Sequence, residues 1–329
     1  MPSTKKLLTA AAGSAGGDKL FPEDVFSTYL YDAAHGTSPI VNGINLADEG
    51  GLVWFKHRTS TYSNILFDTE RGTSNHLVSN TTAANATSIG LGSFNTDGFS
   101  FSGVNLNVNS ANHVAWTWRK AAGFCDVVTY TGNGTAGRTV AHSLGSVPKM
   151  MIVKNTTTAR SWAVYHSSLG GTKDLTLDDT SAAFTRVAVW NDTNPTSSVF
   201  TVGSGFLTNT NGDTYVAYLF GDDAVFGEDG DEQICKMGSF TPDGSGNADI
   251  TLGFEPQWLI YKRSDGGNEN WQTLDSMRGW ASITSGMREL YANASSAEAT
   301  NNGNQITSTG FKINGGHSAN ATYIYMAIR

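Results

Sequence analysis

The sequence predicts an all-β chain: three tandem antiparallel β-sandwich domains, jelly-roll-like, behind a short N-terminal arm. The first observation is a stretch written three times, as Leu52-Val53-Trp54-Phe55-Lys56, Met150-Met151-Ile152-Val153-Lys154 and Trp258-Leu259-Ile260-Tyr261-Lys262. Each is apolar, rich in β-branched and aromatic residues, and closed by a lysine, which reads as a buried strand surfacing at a polar end. The second is spacing. The lysines lie 98 and 108 residues apart, a domain-sized repeat rather than a solenoid unit of about 20–50 residues. The third is that no long stretch carries the helical period, whereas short alternating runs end in turn residues every ~8–12 positions.

The neighbours of the repeated strand return in register. Asp68, His166 and Asp275 are each followed four residues later by a glycine, Gly72, Gly170 and Gly279. Leu77…Asn80, Leu175…Asp178 and Leu290…Asn293 come next, then Gly98-Phe99, Gly205-Phe206 and Gly310-Phe311. Each copy closes on an aromatic strand around Trp116, Tyr218 and Tyr325. A glycine kept at one place in three copies predicts a turn or a positive φ.

Residues 1–23 stand outside the repeat and form the arm, with Lys5, Lys6, Leu7 and Leu8 as its candidate anchoring residues. Its apolar run is too short for the ~7–15 residues of a secretory segment. A helix of about two turns needs a partner surface to order. The first domain, 24–123, opens on a strand over 25–32, and Asn64-Ile65-Leu66-Phe67 predicts a hairpin with the lysine strand. In the second, 124–228, Asn133-Gly134 predicts another hairpin. In the third, 229–329, Pro242-Asp243-Gly244 supplies the first turn. The acidic stretch at 228–232 has too incomplete a ligand set for a calcium loop and reads as a solvated linker.

Charged residues are only 15% and the net charge is −8, so no electrostatic footprint for nucleic acid is present. No apolar run is long enough to insert in a membrane. Cys125 and Cys235 stand at equivalent places of different domains, which predicts two free thiols that do not meet. Asp68, Glu70 and Asp275 read as turn caps, since no carboxylate pair falls within one domain. No motif for a nucleophile, phosphate loop or metal site occurs, so catalytic residues, metal and cofactors are all expected to be none. Trp54, Trp116 and Trp258 read as packing. Trp162, Trp190, Trp271 and Trp280 are the candidates for contact with a glycan, because an exposed tryptophan can stack on a sugar face.

Gly50-Gly51-Leu52-Val53-Trp54-Phe55-Lys56, Leu66-Phe67-Asp68-Thr69-Glu70-Arg71-Gly72, Asp97-Gly98-Phe99 and Val114-Ala115-Trp116 together resemble a repeat domain of tailed-bacteriophage virion proteins. Gly145-Ser146-Val147-Pro148 and Gly253-Phe254-Glu255-Pro256-Gln257-Trp258 resemble its second and third copies. Such proteins are often labelled tail-fibre proteins and are common in phages of marine bacteria. The resemblance implies a non-enzymatic virion structural protein, a tail fibre or appendage, located in the tail or on the outer particle surface. It implies attachment to other virion proteins through the arm and a homo-oligomer (a trimer for a fibre); the loop tryptophans add a host surface glycan as the candidate receptor. The alternatives are a capsid-bound decoration or cement protein and a glycan-binding adhesion module. No separate distal tip domain is expected after Arg329.

Thiol titration of the denatured protein without reductant is expected to find two free thiols per chain. An intrachain link in the mass spectrum would overturn the reading of Cys125 and Cys235.

Overall fold

The computed structural model describes residues 20–329 apart from 33, 34, 36, 104, 105, 107–110, 228, 282–285 and 302. The anchoring residues Lys5, Lys6, Leu7 and Leu8 therefore lie outside the described residues. The described chain is all-β, its helical pieces being single turns at Pro22–Val25, Leu46–Glu49, Val187–Trp190 and Ser276–Arg278. Three large antiparallel sheets carry the repeated strands. In the first, Gly51–His57 lies between His113–Arg119 and Ile65–Asp68. In the second, Met150–Asn155 lies between Thr214–Phe220 and Ala163–His166. In the third, Trp258–Arg263 lies between Tyr323–Ile328 and Gln272–Asp275.

Register makes the three sheets equivalent residue by residue. Trp54 faces Trp116, Ile152 faces Tyr218 and Ile260 faces Met326. On the other side Leu52 faces Asp68, Met150 faces His166 and Trp258 faces Asp275. Gly72, Gly170 and Gly279 all have positive φ, 77°, 71° and 99°, a conformation in which a Cβ would be strained.

Alternation along the lysine strands assigns their two faces. Val53 and Phe55, Met151 and Val153, and Leu259 and Tyr261 point outward, each pair into its own cluster under a small sheet. Those small sheets are Ile40–Val41 with Gly98–Phe101 and Leu91–Asn95, Arg138–Ala141 with Val199–Val202, and Asn247–Thr251 with Gly310–Asn314 and Asn304–Thr307. The opposite faces do not end in solvent. Leu52 and Trp54, Met150 and Ile152, and Trp258 and Ile260 belong to one continuous cluster built by all three sheets. The sheets meet so closely that the void between them is about 10 Å³.

One expected hairpin is not formed, and the two cysteines, free as expected, lie closer together than expected. The Asn133-Gly134 turn does not close a hairpin: Cys125–Thr131 pairs with Thr214–Phe220, whereas Arg138–Ala141 pairs with Val199–Val202. The turn carries the chain from the large sheet to the small one, with Gly134 at φ 70° and Asn209 Oδ1 accepting the Asn133 N–H at 2.8 Å. Cys125 and Cys235 are both free and buried, but they lie in the same central cluster, and burial, the Asp222 carboxylate and Cys125 in turn push the Cys235 thiol up. They are brought near one another because equivalent positions converge where three sheets share a core.

Polar groups close the arrangement into a ring. Tyr218 Oη donates to Asp68 Oδ2 at 2.8 Å, joining second sheet to first. Trp116 Nε1 donates to Asp275 Oδ2 at 2.9 Å, joining first to third. His166 Nε2 lies 3.0 Å from the Tyr325 carbonyl, joining second to third. Asp68 and Asp275 also cap their turns, accepting the N–H of Arg71 at 2.9 Å and of Arg278 at 2.8 Å.

With one core common to three sheets, the chain is expected to unfold in a single calorimetric transition, with van't Hoff and calorimetric enthalpies equal. Trp116→Phe keeps an aromatic side chain but removes the indole N–H and its hydrogen bond to the Asp275 carboxylate, and should cost at least about 1.5–3 kcal/mol in urea unfolding. Separate transitions for the thirds of the chain would refute the shared core.

Candidate functional site

The residues singled out by the repeat serve the joints between sheets. Lys56, Lys154 and Lys262 are 1%, 0% and 0% exposed, so they do not surface at the strand ends. They follow Trp54, Ile152 and Ile260 by two residues and share their inward face. Each reaches a neighbouring sheet: Lys56 Nζ donates to Ser295 O at 2.9 Å, Lys154 Nζ to Thr82 O at 2.9 Å, and Lys262 Nζ to Thr180 O at 3.0 Å. These carbonyls occupy one repeated place, two residues beyond Asn293, Asn80 and Asp178. Beside them the main chain bonds across each boundary, Glu298 N–H to Arg58 O, Asn85 N–H to Thr156 O and Ala183 N–H to Ser264 O, at 2.7, 3.0 and 2.9 Å.

The four tryptophans proposed for glycan contact are all buried, at 0–1% exposure. Trp162 and Trp271 lie in the central cluster, and their ring nitrogens donate across sheets, Trp162 to Val78 O and Thr81 O at 3.2 and 3.1 Å, Trp271 to Thr176 O at 2.8 Å. Asn64 takes the equivalent place in the first sheet and donates to Ala294 O at 2.9 Å. Trp190 and Trp280 fill the outer clusters of the second and third sheets. A sugar cannot stack on any of these rings where they stand.

A large open cleft lies instead on the outer side of the third sheet, about 700 Å³. Gln272 and Tyr291, paired on adjacent strands, form its floor with Glu289. Asn270, Glu269 and His317 come from the surrounding loops. Tyr291 Oη donates to Glu289 Oε1 at 2.6 Å, and Tyr323 Oη donates to Glu269 Oε2 at 2.9 Å. His317 Nε2 lies 3.0 Å from Tyr261 Oη; burial pushes its pKa down while both glutamates oppose that shift. Gly315 and Gly316, with φ 75° and 77°, border the cleft without crowding it. Two carboxylates of the last third of the chain, Glu269 on a loop and Glu289 on a strand, therefore share a cleft, contrary to the sequence expectation. Among the described residues no lysine or arginine lines it, and Arg263 pairs with Glu269 at 3.4 Å. Such a wall of amides, carboxylates and phenols can hydrogen-bond a neutral polyol or an amine. Among the described residues, no group of three or more His, Cys, Asp or Glu side chains is placed to hold a metal.

One position in the sequence carried a signal for this cleft. The residue before the repeated leucine is His76, Asp174 and Glu289 in turn. In the second sheet Asp174 is closed off by an ion pair with Arg186, and in the third Glu289 stays at the cleft.

The lysine joints give a pH signature. Burial lowers each ammonium from 10.5 to about 8, with Glu298, Asp178 and Glu269 respectively opposing that shift. Between those values the unfolded chain binds more protons than the folded one, so stability rises as pH rises. The denaturant midpoint should therefore climb from about pH 7.5 to about pH 9, and Lys154→Met should flatten that climb. The buried tyrosines and cysteines, pushed the other way, oppose the gain at higher pH. An unchanged slope in the variant would show that Lys154 is not held this way.

No curated protein matches the sequence. A family described as "Domain of unknown function (DUF7483)" matches residues 21–329, a span that takes in all three large sheets and the ring of joints between them. The chain is a member of the DUF7483 family.

Proposed function

We propose that this protein is a non-enzymatic structural component of a bacteriophage virion, a tail fibre or appendage. Its fold is three tandem jelly-roll-like β-sandwiches, anchored through the arm at Lys5, Lys6, Leu7 and Leu8. The observation that carries the reading is the closed ring of joints. The polar groups written three times, Lys56, Lys154 and Lys262, are consumed in holding sheet to sheet, as suits a structural particle protein. The sequence resemblance to virion repeat proteins supports the same role. The cleft of the third sheet supplies host attachment, taking neutral hydroxyl groups of a surface glycan. Its two carboxylates already accept Tyr291 and Tyr323 hydroxyls, which favours binding over catalysis.

A second reading, capsid decoration, is favoured by one feature. The cyclic contacts give a single chain three equivalent faces, which suits a seat on a threefold partner surface.

Deleting residues 1–19 should abolish incorporation into particles while leaving the melting temperature within about 2 °C, since the described core contacts begin at Leu20. Normal incorporation of the shortened chain would refute anchoring by the arm. Retention of the full chain on tail-less heads would select the decoration reading over the fibre.

A further inference from the structure

The first sheet carries a cavity at the place that the polar cleft occupies in the third. Ser63, Ile65, His76 and Val78 line the one, and the register-equivalent Asn270, Gln272, Glu289 and Tyr291 line the other. Its chemistry is different. The volume is about 310 Å³, room for roughly ten non-hydrogen atoms at the ~30 Å³ that a liquid water occupies. Phe55, Ile65, Val78, Ile89 and Leu106 make it predominantly apolar.

One wall is a column of four rings. Tyr31 stacks on His113 at 4.8 Å, His113 lies 4.2 Å from His57, and His57 stacks on Tyr62 at 4.0 Å. Tyr62 is the exposed outer end, at 47%, whereas His113 and His57 are 1% and 8% exposed. His57 Nδ1 and His113 Nε2 are buried without a hydrogen-bond partner. Unpaired buried polar atoms are rare in folded proteins and call for an explanation such as a ligand. Lys56 borders the same end and gives two of its three N–H groups to Tyr62 O and Ser295 O, at 2.7 and 2.9 Å. Arg58 stands nearby, paired with Glu298 at 2.6 Å, and among the described residues no carboxylate lines the cavity. Burial, with Lys56 beside it, lowers His57 to about 4, and burial, with His57 and Arg58 beside it, lowers His113 to about 3. Both rings are therefore neutral near neutral pH, and each can turn one N–H toward the cavity.

We propose that this cavity binds a small monocarboxylic acid with an apolar body, its carboxylate received by His57 Nδ1–H, His113 Nε2–H and the Lys56 ammonium. The apolar chain or ring lies against Phe55, Ile65 and Val78. An anionic oxygen satisfies the two imidazole nitrogens and partners the buried ammonium, which a neutral apolar guest does not. The inference is independent of the host-attachment reading, since it concerns another sheet and another ligand class.

The test uses the full chain and octanoate, a ten-heavy-atom probe, followed by ligand-observed NMR at neutral pH. Octanoate should bind, and octanamide, of equal size and without the charge, at least tenfold more weakly. His113→Phe keeps the ring column and removes the donor, so it should weaken octanoate at least fivefold while leaving octanamide unchanged. Ile65→Trp fills the cavity and should abolish binding of both, with an unchanged circular dichroism spectrum as the folding control. Equal binding of acid and amide, absence of octanoate binding, or octanoate binding undiminished in folded Ile65→Trp would each overturn the proposal.

Discussion

Three ammonium groups, each removed from water and each bound to a carbonyl of another sheet, constrain everything else in this molecule. A lone buried charge is prohibitively costly, so Lys56, Lys154 and Lys262 require Ser295, Thr82 and Thr180 to stand where they do. Those carbonyls belong to the loops that follow Asn293, Asn80 and Asp178. The side chains of these three residues accept the main-chain N–H of Trp271, Asn64 and Trp162 at 2.8 Å each. The loop that receives a lysine is thereby fixed to the strand that starts the next joint. Each sheet is both donor and acceptor, and the chain closes on itself.

The closed ring explains why apolar side chains can occupy both faces of every large sheet. A sheet with one wet face would alternate apolar and polar residues. Here the strands Gly51–His57 and Met150–Asn155 are buried at every position, because the inner face meets two other sheets and the outer face meets a small one. The lysine is tolerated on the inner face because it ends the strand at the boundary, where main-chain carbonyls are still unpaired.

Outside the ring the three sheets are free to differ, and they do so at one place. The position before the repeated leucine holds His76 in an apolar cavity, Asp174 in an ion pair with Arg186, and Glu289 in a polar cleft. The same backbone thus offers three chemistries. This division is general: a scaffold sets position and the outer side chains set what is recognised.

Alternation in Val53-Trp54-Phe55 and its copies, the terminal lysines and the glycines at 72, 170 and 279 determined by themselves the strands, their register and their repetition, because period and backbone sterics are local properties. The tryptophans misled for a physical reason. Trp162 and Trp271 follow loops, as exposed recognition residues do, but the surface they reach belongs to another sheet some eighty to ninety-five residues away. A periodic pattern tells which residues share a face and is silent on what that face meets. The convergence of Cys125 with Cys235, the burial of three lysines, and the gathering of Glu269, Glu289 and His317 around one cleft were decided only by the tertiary structure. All three depend on contacts between segments far apart in sequence, and no local preference encodes them.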